Sequence, residues 1–239
     1  MNLEKQSEVK GKKEQVRLMF NNIAGRYDFL NHFLSLGIDK GWRRKLIRQM
    51  SRHNPANILD VATGTGDLAI AAAKIQPEKI TGIDIAEGML AIGKLKVEKL
   101  HLQNLIHLQQ ADSENIPFAD TSFDAVMVAF GVRNFENLAK GLEEMYRVLV
   151  PGGYVYILEF SKPQKFPFKQ LYGFYFNNIL PILGRIVSRD MSAYTYLPES
   201  VGAFPSGQEF TKIMLKAGFT MATGRQLTFG VATLYSARK

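Results

Sequence analysis

Short apolar runs alternate with helical patterns through the middle of this 239-residue chain. The apolar runs predict five strands, at residues 57–61, 79–85, 105–110, 123–130 and 154–160. The helical patterns lie at residues 68–75, 88–100 and 138–149. Pro151-Gly152-Gly153 predicts a firm end for the last of these helices. Continuous apolar strands that alternate with helices are typical of βαβ units and of a parallel sheet covered on both faces.

Three segments lie outside this alternation. Residues 12–50 predict helices that break at Gly25 and Gly37. Residues 162–205 are rich in aromatic residues and prolines, and they are too apolar for a solvated linker, so we expect an insertion. The chain is expected to close with a helix at 207–217 and strands at 220–227 and 231–237.

We therefore predict one α/β domain over residues 1–239, with a mostly parallel, seven-stranded Rossmann-like sheet and helices on both faces. A chain of this length can bury a large apolar core, and its 46% apolar residues suit that fold. Its expected parts are a basic helical N-terminal lid (1–54), a ligand-binding core (55–161), an aromatic-rich insertion (162–205) and a closing helix and strands (206–239).

The net charge of +8 is concentrated at the N-terminus. Residues 1–54 contain twelve Lys and Arg but five Asp and Glu, and the remaining chain is nearly neutral. A basic segment of this kind suits a nucleic acid or an anionic membrane surface. A solvated helical face is an equally good interpretation.

The chain contains no cysteine, which excludes disulfides, thiolate zinc sites and cysteine nucleophiles and fits a reducing compartment. The four histidines show no metal-ligand spacing, so we expect no metal. The charged N-terminus lacks the apolar region of a secretory signal. The most apolar stretch, residues 171–187, is interrupted by Asn, Pro and Gly, and we interpret it as non-spanning. A cytoplasmic protein is expected.

Polar and glycine residues follow the predicted strands where a ligand would bind. Asp60, Thr63, Gly64 and Gly66 lie at the end of the first strand, and glycines there let the backbone approach a ligand. Asp84 ends the second strand, where an acid can accept both hydroxyls of a ribose. These positions predict a nucleoside-bearing ligand at the carboxyl edge of the sheet. A tight turn at the glycines and helix capping by Asp60 or Asp67 are the plainer alternatives.

The nucleoside could belong to a nicotinamide cofactor, because the glycine loop also fits that fingerprint. Asp60 favours S-adenosylmethionine instead, since a carboxylate there suits an amino group and repels a pyrophosphate. Asp112 follows the third strand, where it can bind an adenine edge, and its neighbour Ser113 is a further candidate. Together with the paired closing strands, these acids predict a class I SAM-dependent methyltransferase.

Two stretches of the chain, Tyr27–Trp42 and Arg147–Ser161, carry a resemblance to a known family. Shorter supporting pieces are Phe130–Asn134 and Tyr194–Val201. From about Val16 onward the sequence resembles the quinone-biosynthesis C-methyltransferases, which methylate demethylmenaquinol or a ubiquinol precursor. The departures from the family pattern are Leu30 for Met, Asp39 for His and Val150 for Lys. Asp39 puts a histidine-dependent role at that position in doubt.

The resemblance implies methyl transfer to a ring carbon of a prenylated hydroquinone. The adjacent hydroxyl must lose its proton, which at pH 7 costs about 4 kcal/mol for a group that titrates near 10. Arg133 is then expected to stabilise the phenolate or orient a water, with Asn134 and Tyr27 hydrogen-bonding the ring oxygens. A salt bridge for Arg133 and core packing for Tyr27 are the alternatives. His32 is a candidate base, and helix packing explains it equally well.

The aromatic-rich insertion suits an apolar substrate. Its aromatic residues lie beside Lys165 and Lys169 and are Phe166, Phe168, Tyr172, Phe174, Tyr175 and Phe176. It is expected to line an isoprenoid pocket or to lie in the bilayer interface at the inner face of the membrane. An ordinary lid helix packed on the sheet is an equally good interpretation. No nucleic acid is expected, because no RNA-binding module is present. An RNA methyltransferase, a nicotinamide oxidoreductase and a non-catalytic donor-binding regulator are the competing functions. On overall likeness demethylmenaquinol is the expected substrate, with a ubiquinol precursor (2-methoxy-6-polyprenyl-1,4-benzoquinol) as the alternative. A homo-oligomer is left open.

Overall fold

The computed structural model describes residues 11–34, 37–174, 178 and 192–239. The strands are β1 (Asn57–Val61), β2 (Lys79–Asp84), β3 (Ile106–Gln110), β4 (Phe123–Ala129), β5 (Leu149–Phe160), β6 (Thr220–Leu227) and β7 (Ala232–Arg238). The helices are α1 (Lys12–Leu34), α2 (Ile38–Met50), α3 (Asp67–Ala72), α4 (Glu87–Lys99), α5 (Leu138–Val148), α6 (Phe168–Phe174), α7 (Ser192–Ala203) and α8 (Gln208–Lys216).

The strands form one seven-stranded sheet in the order β3-β2-β1-β4-β5-β7-β6. The first five strands pair in parallel, whereas β7 runs antiparallel to both β5 and β6. The strand order reverses direction beside β1, and ligands of open α/β sheets bind at such a point, outside the carboxyl ends of the strands. The predicted mostly parallel sheet is confirmed.

Alternate residues of the central strands enter two separate apolar cores. On one face, Ile58 and Met127 are buried with side chains of α2, α3 and α4, among them Leu46. On the other face, Leu59 and Val126 are buried with side chains of α5 and α8. Each such side chain contributes about 1.5–3 kcal/mol through its removal from water. Helices therefore cover both faces, as predicted.

The predicted helix break at Gly25 is wrong, whereas the break at Gly37 is confirmed. Helix α1 continues through Gly25, and a Cβ at that position would meet nothing within 4 Å. A glycine inside a helix costs only about 1 kcal/mol relative to alanine, which the buried neighbours Ile23 and Ala24 offset. Gly37 has φ of 73°, a left-handed conformation that helices do not continue through.

The Pro151-Gly152-Gly153 segment does not separate α5 from the next strand by a turn, so the predicted strand start at residue 154 is wrong. Strand β5 begins at Leu149, directly after the helix. The amide of Gly152 donates to the carbonyl of Lys239 (3.0 Å), and the amide of Lys239 donates to the carbonyl of Gly153 (2.9 Å). This pairing keeps the segment in the ladder, while the register against β4 shifts between Phe123 and Ala125.

Candidate active site

A cavity opens at the carboxyl edge of β1, β2 and β4, where ligands of open α/β sheets bind. Helix α1 contributes the opposite wall through Val16 and Phe20. Six of the predicted site residues line the cavity: Tyr27, Gly64, Asp84, Asp112, Ser113 and Asn134. The loops after neighbouring strands thus meet at one site, as their positions in the sequence predict.

The glycine loop between β1 and α3 has a backbone that side chains would obstruct. Gly64 and Gly66 have φ of 57° and 79°, in the left-handed region that favours glycine. A Cβ at Gly64 would lie 3.3 Å from the terminal methyl of Met89. The loop is tied to the sheet because the amide of Thr63 donates to the carbonyl of Ile83 (2.9 Å). The backbone of Gly64 is therefore exposed to the cavity.

Asp60 lies beneath this loop and is 1% exposed. The hydroxyl of Thr63 donates to Oδ2 of Asp60 (2.6 Å), while the buried Oδ1 has no hydrogen-bond partner among the described residues. Burial raises the pKa of Asp60 to about 7. A buried carboxylate oxygen that lacks a donor fits a cationic group, such as the ammonium of S-adenosylmethionine.

Asp84 ends β2 and faces the cavity. Its Oδ2 accepts from the amide of Gly64 (2.8 Å) and its Oδ1 from the amide of Ala86 (2.9 Å). Burial raises the pKa of Asp84. A carboxylate offers about four acceptor sites, so two hydroxyls can bind besides the two amides. The backbone contacts thus orient the carboxylate and leave it able to hold a ribose.

Asp112 is joined to the N-terminal helix across the cavity mouth. Its Oδ1 accepts from the amide of Glu114 (2.9 Å), and its Oδ2 lies 2.7 Å from Nζ of Lys13. The ammonium of Lys12, also in α1, donates to the carbonyl of Phe135 (2.6 Å). The side chain of Asn21 accepts from the amide of Gly88, at the start of α4 (2.8 Å). These contacts hold α1 over the cavity.

Arg133 and Asn134 lie in a short turn of 3₁₀ helix after β4. Nη1 of Arg133 lies 2.8 Å from Oε1 of Glu159, and the same nitrogen donates to the carbonyl of Phe130. The hydroxyl of Tyr196 donates to Oδ1 of Asn134 (3.0 Å). Arg133 lines a neighbouring cavity with Tyr196, whereas Asn134 lines the first cavity, so the two predicted residues face adjoining spaces.

Comparison with known proteins identifies the family of this chain. Residues 7–239 match the pattern of the ubiE/COQ5 methyltransferase family. The chain belongs to this family.

Two relatives and one solved structure show the extent of the likeness. A demethylmenaquinone methyltransferase of Bacteroides fragilis is 51% identical over 229 residues, which are 95% of this chain and 94% of that protein. The ubiquinone/menaquinone biosynthesis C-methyltransferase UbiE of Geotalea daltonii is 48% identical, over 95% and 97% of the two chains. A SAM-dependent methyltransferase from Aquifex aeolicus has a similar fold (TM-score 0.56, 24% identity, 77% and 81% covered).

This ubiE/COQ5 methyltransferase uses S-adenosylmethionine as its methyl donor, and its class I fold agrees with that of the solved SAM-dependent enzyme. The buried oxygen of Asp60, the open backbone at Gly64 and the carboxylate of Asp84 fit that donor. No group of three or more His, Cys, Asp or Glu side chains that could hold a metal ion occurs within the described ranges.

Several contacts around the site of this methyltransferase were not predicted from the sequence. Lys12, Lys13 and Asn21 cover the site from α1, and the sequence signal was only an excess of basic charge. Glu159 belongs to a motif of the resemblance but received no role; an acid at the end of an apolar strand was its available signal. The side chain of His32 and residues 175–177 and 179–191, which include Tyr175 and Phe176, lie outside the described part of the chain.

Proposed function

We propose that this enzyme methylates a ring carbon of a prenylated hydroquinone, and that demethylmenaquinol is its substrate. One observation carries the proposal. Gly64 and Asp84, which are expected to bind S-adenosylmethionine, line the same cavity as Tyr27 and Asn134, which are expected to bind the substrate ring. The relatives at 51% identity are named for demethylmenaquinone, which favours a naphthoquinol over the benzoquinol precursor of ubiquinone. When bound, S-adenosylmethionine supplies the methyl group from its sulfonium.

The donor is held in this proposal by residues around the carboxyl edge of the sheet. Asp60 and Thr63 lie beneath the amino-acid portion, and Gly64 and Gly66 allow the backbone to approach it. Asp84 accepts hydrogen bonds from the ribose hydroxyls. The adenine edge is bound by Asp112 and Ser113, as their place in the cavity wall supports.

The ring is held on the other side of the cavity. Asn134 and Tyr27 hydrogen-bond its oxygens, and Phe130 contributes an apolar wall. The guanidinium of Arg133 stabilises the phenolate that forms when the hydroxyl adjacent to the reacting carbon loses its proton to water. The carbon that gains the methyl group afterwards loses its ring hydrogen to water, which restores the aromatic ring. Ionisation costs about 4 kcal/mol at pH 7, and a fixed cation in a water-poor site offsets part of it. The side chain of Arg133 is 7% exposed, which keeps it largely out of water.

We further propose that the region around α6 contacts an anionic membrane surface, where a long-tailed quinone resides. Phe166 is 80% exposed and Phe229 is 67% exposed, and the Phe229 ring stacks on Phe168 at 3.8 Å between centroids. Lys165 and Lys169 are exposed beside them. Exposed aromatic residues flanked by lysines are typical of interfacial binding. No helix in the described part of the chain is long and apolar enough to span a bilayer.

We also propose that the chain has four functional parts. Residues 1–54 act as a basic helical lid and residues 55–161 as the SAM-binding core. Residues 162–205 act as an aromatic-rich insertion that receives the tail, and residues 206–239 close the sheet. The contacts of Lys12, Lys13 and Asn21 with the core support the lid.

The substrate is tested with purified protein, reduced demethylmenaquinone and donor that carries a trideuterated methyl group, followed by mass spectrometry of the quinone. We expect one labelled methyl on the naphthoquinol ring and much slower transfer to 2-methoxy-6-polyprenyl-1,4-benzoquinol. Faster labelling of the benzoquinol would reassign the substrate. Labelling of RNA but of neither quinol, together with a steep salt dependence of RNA binding, would overturn the proposal.

The membrane contact is tested by co-sedimentation with vesicles that contain phosphatidylglycerol. We expect Phe166→Ala with Phe229→Ala to reduce the bound fraction, whereas Leu95→Ala removes a comparably exposed side chain (66%) from α4 and serves as control. Equal loss in both proteins, or no binding of the wild type at low salt, contradicts the membrane contact.

A further inference from the structure

Glu159 is a buried acid that has no role in the donor and ring sites proposed above. Glu159 lies near the end of β5 and has no exposed surface. Its Oε1 accepts from the amide of Phe160 (2.8 Å) and from Nη1 of Arg133 (2.8 Å). Its Oε2 accepts from the amide of Arg133 (3.3 Å). Glu159 therefore contacts both the backbone and the guanidinium of Arg133.

A buried carboxylate is costly in a protein core unless a cation and several hydrogen bonds compensate it. Burial raises the pKa of Glu159, and the positive charge of Arg133 acts in the opposite direction. Ile157 and Leu158, which precede it in β5, are buried and apolar, and Glu159 pairs with the buried Thr233 of β7. The free-energy cost of burying this carboxylate is explained if Glu159 holds Arg133 in place.

The guanidinium of Arg133 is constrained from three directions. Glu159 and the carbonyl of Phe130 accept from Nη1, and the guanidinium carbon lies 5.4 Å from the centroid of the Phe160 ring. The rings of Phe130 and Phe160 stack with centroids 4.4 Å apart. Nε of Arg133 is buried and finds no hydrogen-bond partner within the described residues. The side chain is thus held in one pose while one donor is left unused.

The pair lies next to the cavity that joins donor and ring. Asn134, which lines that cavity, follows Arg133 directly and is oriented by the hydroxyl of Tyr196. Both strand ends that carry the pair lie side by side, because Ala129 of β4 pairs with Leu158 of β5. A shift of Arg133 would therefore change the polar groups beside the ring.

We propose that Glu159 is a positioning residue: its carboxylate holds the guanidinium of Arg133 beside Asn134, where the hydroxyl of the hydroquinone loses its proton. The inference rests on the proposed function and deepens it. Glu159 acts through Arg133, whereas the cation of Arg133 faces the phenolate. The carboxylate takes up no proton in this role.

Glu159→Gln tests the inference. The amide has nearly the same shape as the carboxylate, but it has no negative charge, and one of the two accepting oxygens becomes an NH2 group that can only donate. We expect kcat to fall on the order of 100-fold, as for a misplacement of about 1 Å. The KM for the donor and the affinity for S-adenosylhomocysteine are expected to stay within about twofold, because the donor residues are untouched. A variant that retains wild-type kcat overturns the inference.

Glu144→Gln is the matched control. Glu144 is also buried and also pairs with an arginine, since its Oε2 lies 2.8 Å from Nη2 of Arg147. It lies on α5 and accepts from the amide of Ile116, away from the cavity lining. We expect this variant to lose thermal stability and to keep its kcat. An equal loss of kcat in both variants would assign Glu159 a merely structural role.

A double-mutant cycle shows whether Glu159 acts through Arg133. If it does, Arg133→Ala and Arg133→Ala/Glu159→Gln have the same kcat, because the second change has nothing left to position. Multiplied losses would mean an independent role, such as proton uptake by Glu159, and would overturn the inference. If Glu159→Gln does not fold, Glu159→Asp is used in its place. A wild-type kcat in Glu159→Asp likewise overturns the inference. A wild type that methylates no quinol contradicts the proposed function instead.

Discussion

Nζ of Lys13 lies 2.7 Å from Oδ2 of Asp112 and 3.2 Å from Oε2 of Glu114, so one ammonium links α1 to the loop after β3. The hydrogen bond to Asp112 raises the pKa of Lys13, which keeps the ammonium charged throughout the neutral range. The two residues are 99 positions apart in the chain. The contact lies in the cavity wall, where it ties α1 to the sheet.

Lys13→Ala is expected to loosen the lid and to speed dissociation of S-adenosylhomocysteine. Partly exposed ion pairs contribute about 0.5–1 kcal/mol, which corresponds to roughly a twofold to fivefold faster dissociation rate. Stopped-flow fluorescence measures this rate. Lys94→Ala, which removes an exposed lysine from α4, serves as control. An unchanged rate in Lys13→Ala would show that this contact does not hold the lid.

Asp84→Asn is expected to weaken donor binding about 10- to 100-fold, because hydrogen bonds to a charged group contribute roughly 1.5–3 kcal/mol. The neutral amide also places a donor where the amide of Gly64 or Ala86 now donates. Isothermal titration with S-adenosylhomocysteine measures the affinity. Glu98→Gln, at an exposed position of α4, should bind like the wild type.

Donor affinity is expected to rise with pH up to about 7 and then to level off. The raised pKa of Asp60, about 7, means that the carboxyl is largely protonated below that pH in the free enzyme. The ammonium of the donor favours the ionised form, so binding near pH 7 should release a proton. Titrations in buffers with different ionisation enthalpies count that proton. Asp60→Asn should bind more weakly and release none; if its proton release equals that of the wild type, another group is responsible.

Gly82→Ala is expected to disturb the donor loop from beneath. Gly82 pairs with Asp60 across β1 and β2, and a Cβ there would lie 2.8 Å from Oγ1 of Thr63 and 2.5 Å from a methyl of Leu108. The methyl group would push Thr63 away from Asp60, at a cost of about 1–3 kcal/mol in the free energy of unfolding. Denaturant unfolding measures this loss.

Gly25→Ala is the matched control for the previous variant. The site in α1 has open space around it, so the substitution is expected to stabilise the protein by up to about 1 kcal/mol. If Gly82→Ala proves equally stabilising, the packing argument beneath the glycine loop is wrong.

The element types and the donor chemistry could be predicted from the sequence because both depend on local patterns. Apolar runs of four to eight residues predict buried strands, and Asp60 and Asp84 lie at the carboxyl ends of such runs. Parallel strands bring their carboxyl ends to one edge, so three acids from separate segments were expected to meet there. The seven strands and the shared cavity follow from those rules.

The contacts that complete the site depend on tertiary packing. No local pattern places Lys13 against Asp112 or Glu159 against Arg133, because these pairs join elements far apart in the chain. Likewise, Gly25 remains helical because neighbouring side chains are buried. The periodicity of the sequence determined which face of each element is apolar. The packing of those faces decided which polar side chains meet, because a buried charge needs a partner and only the folded chain can supply one.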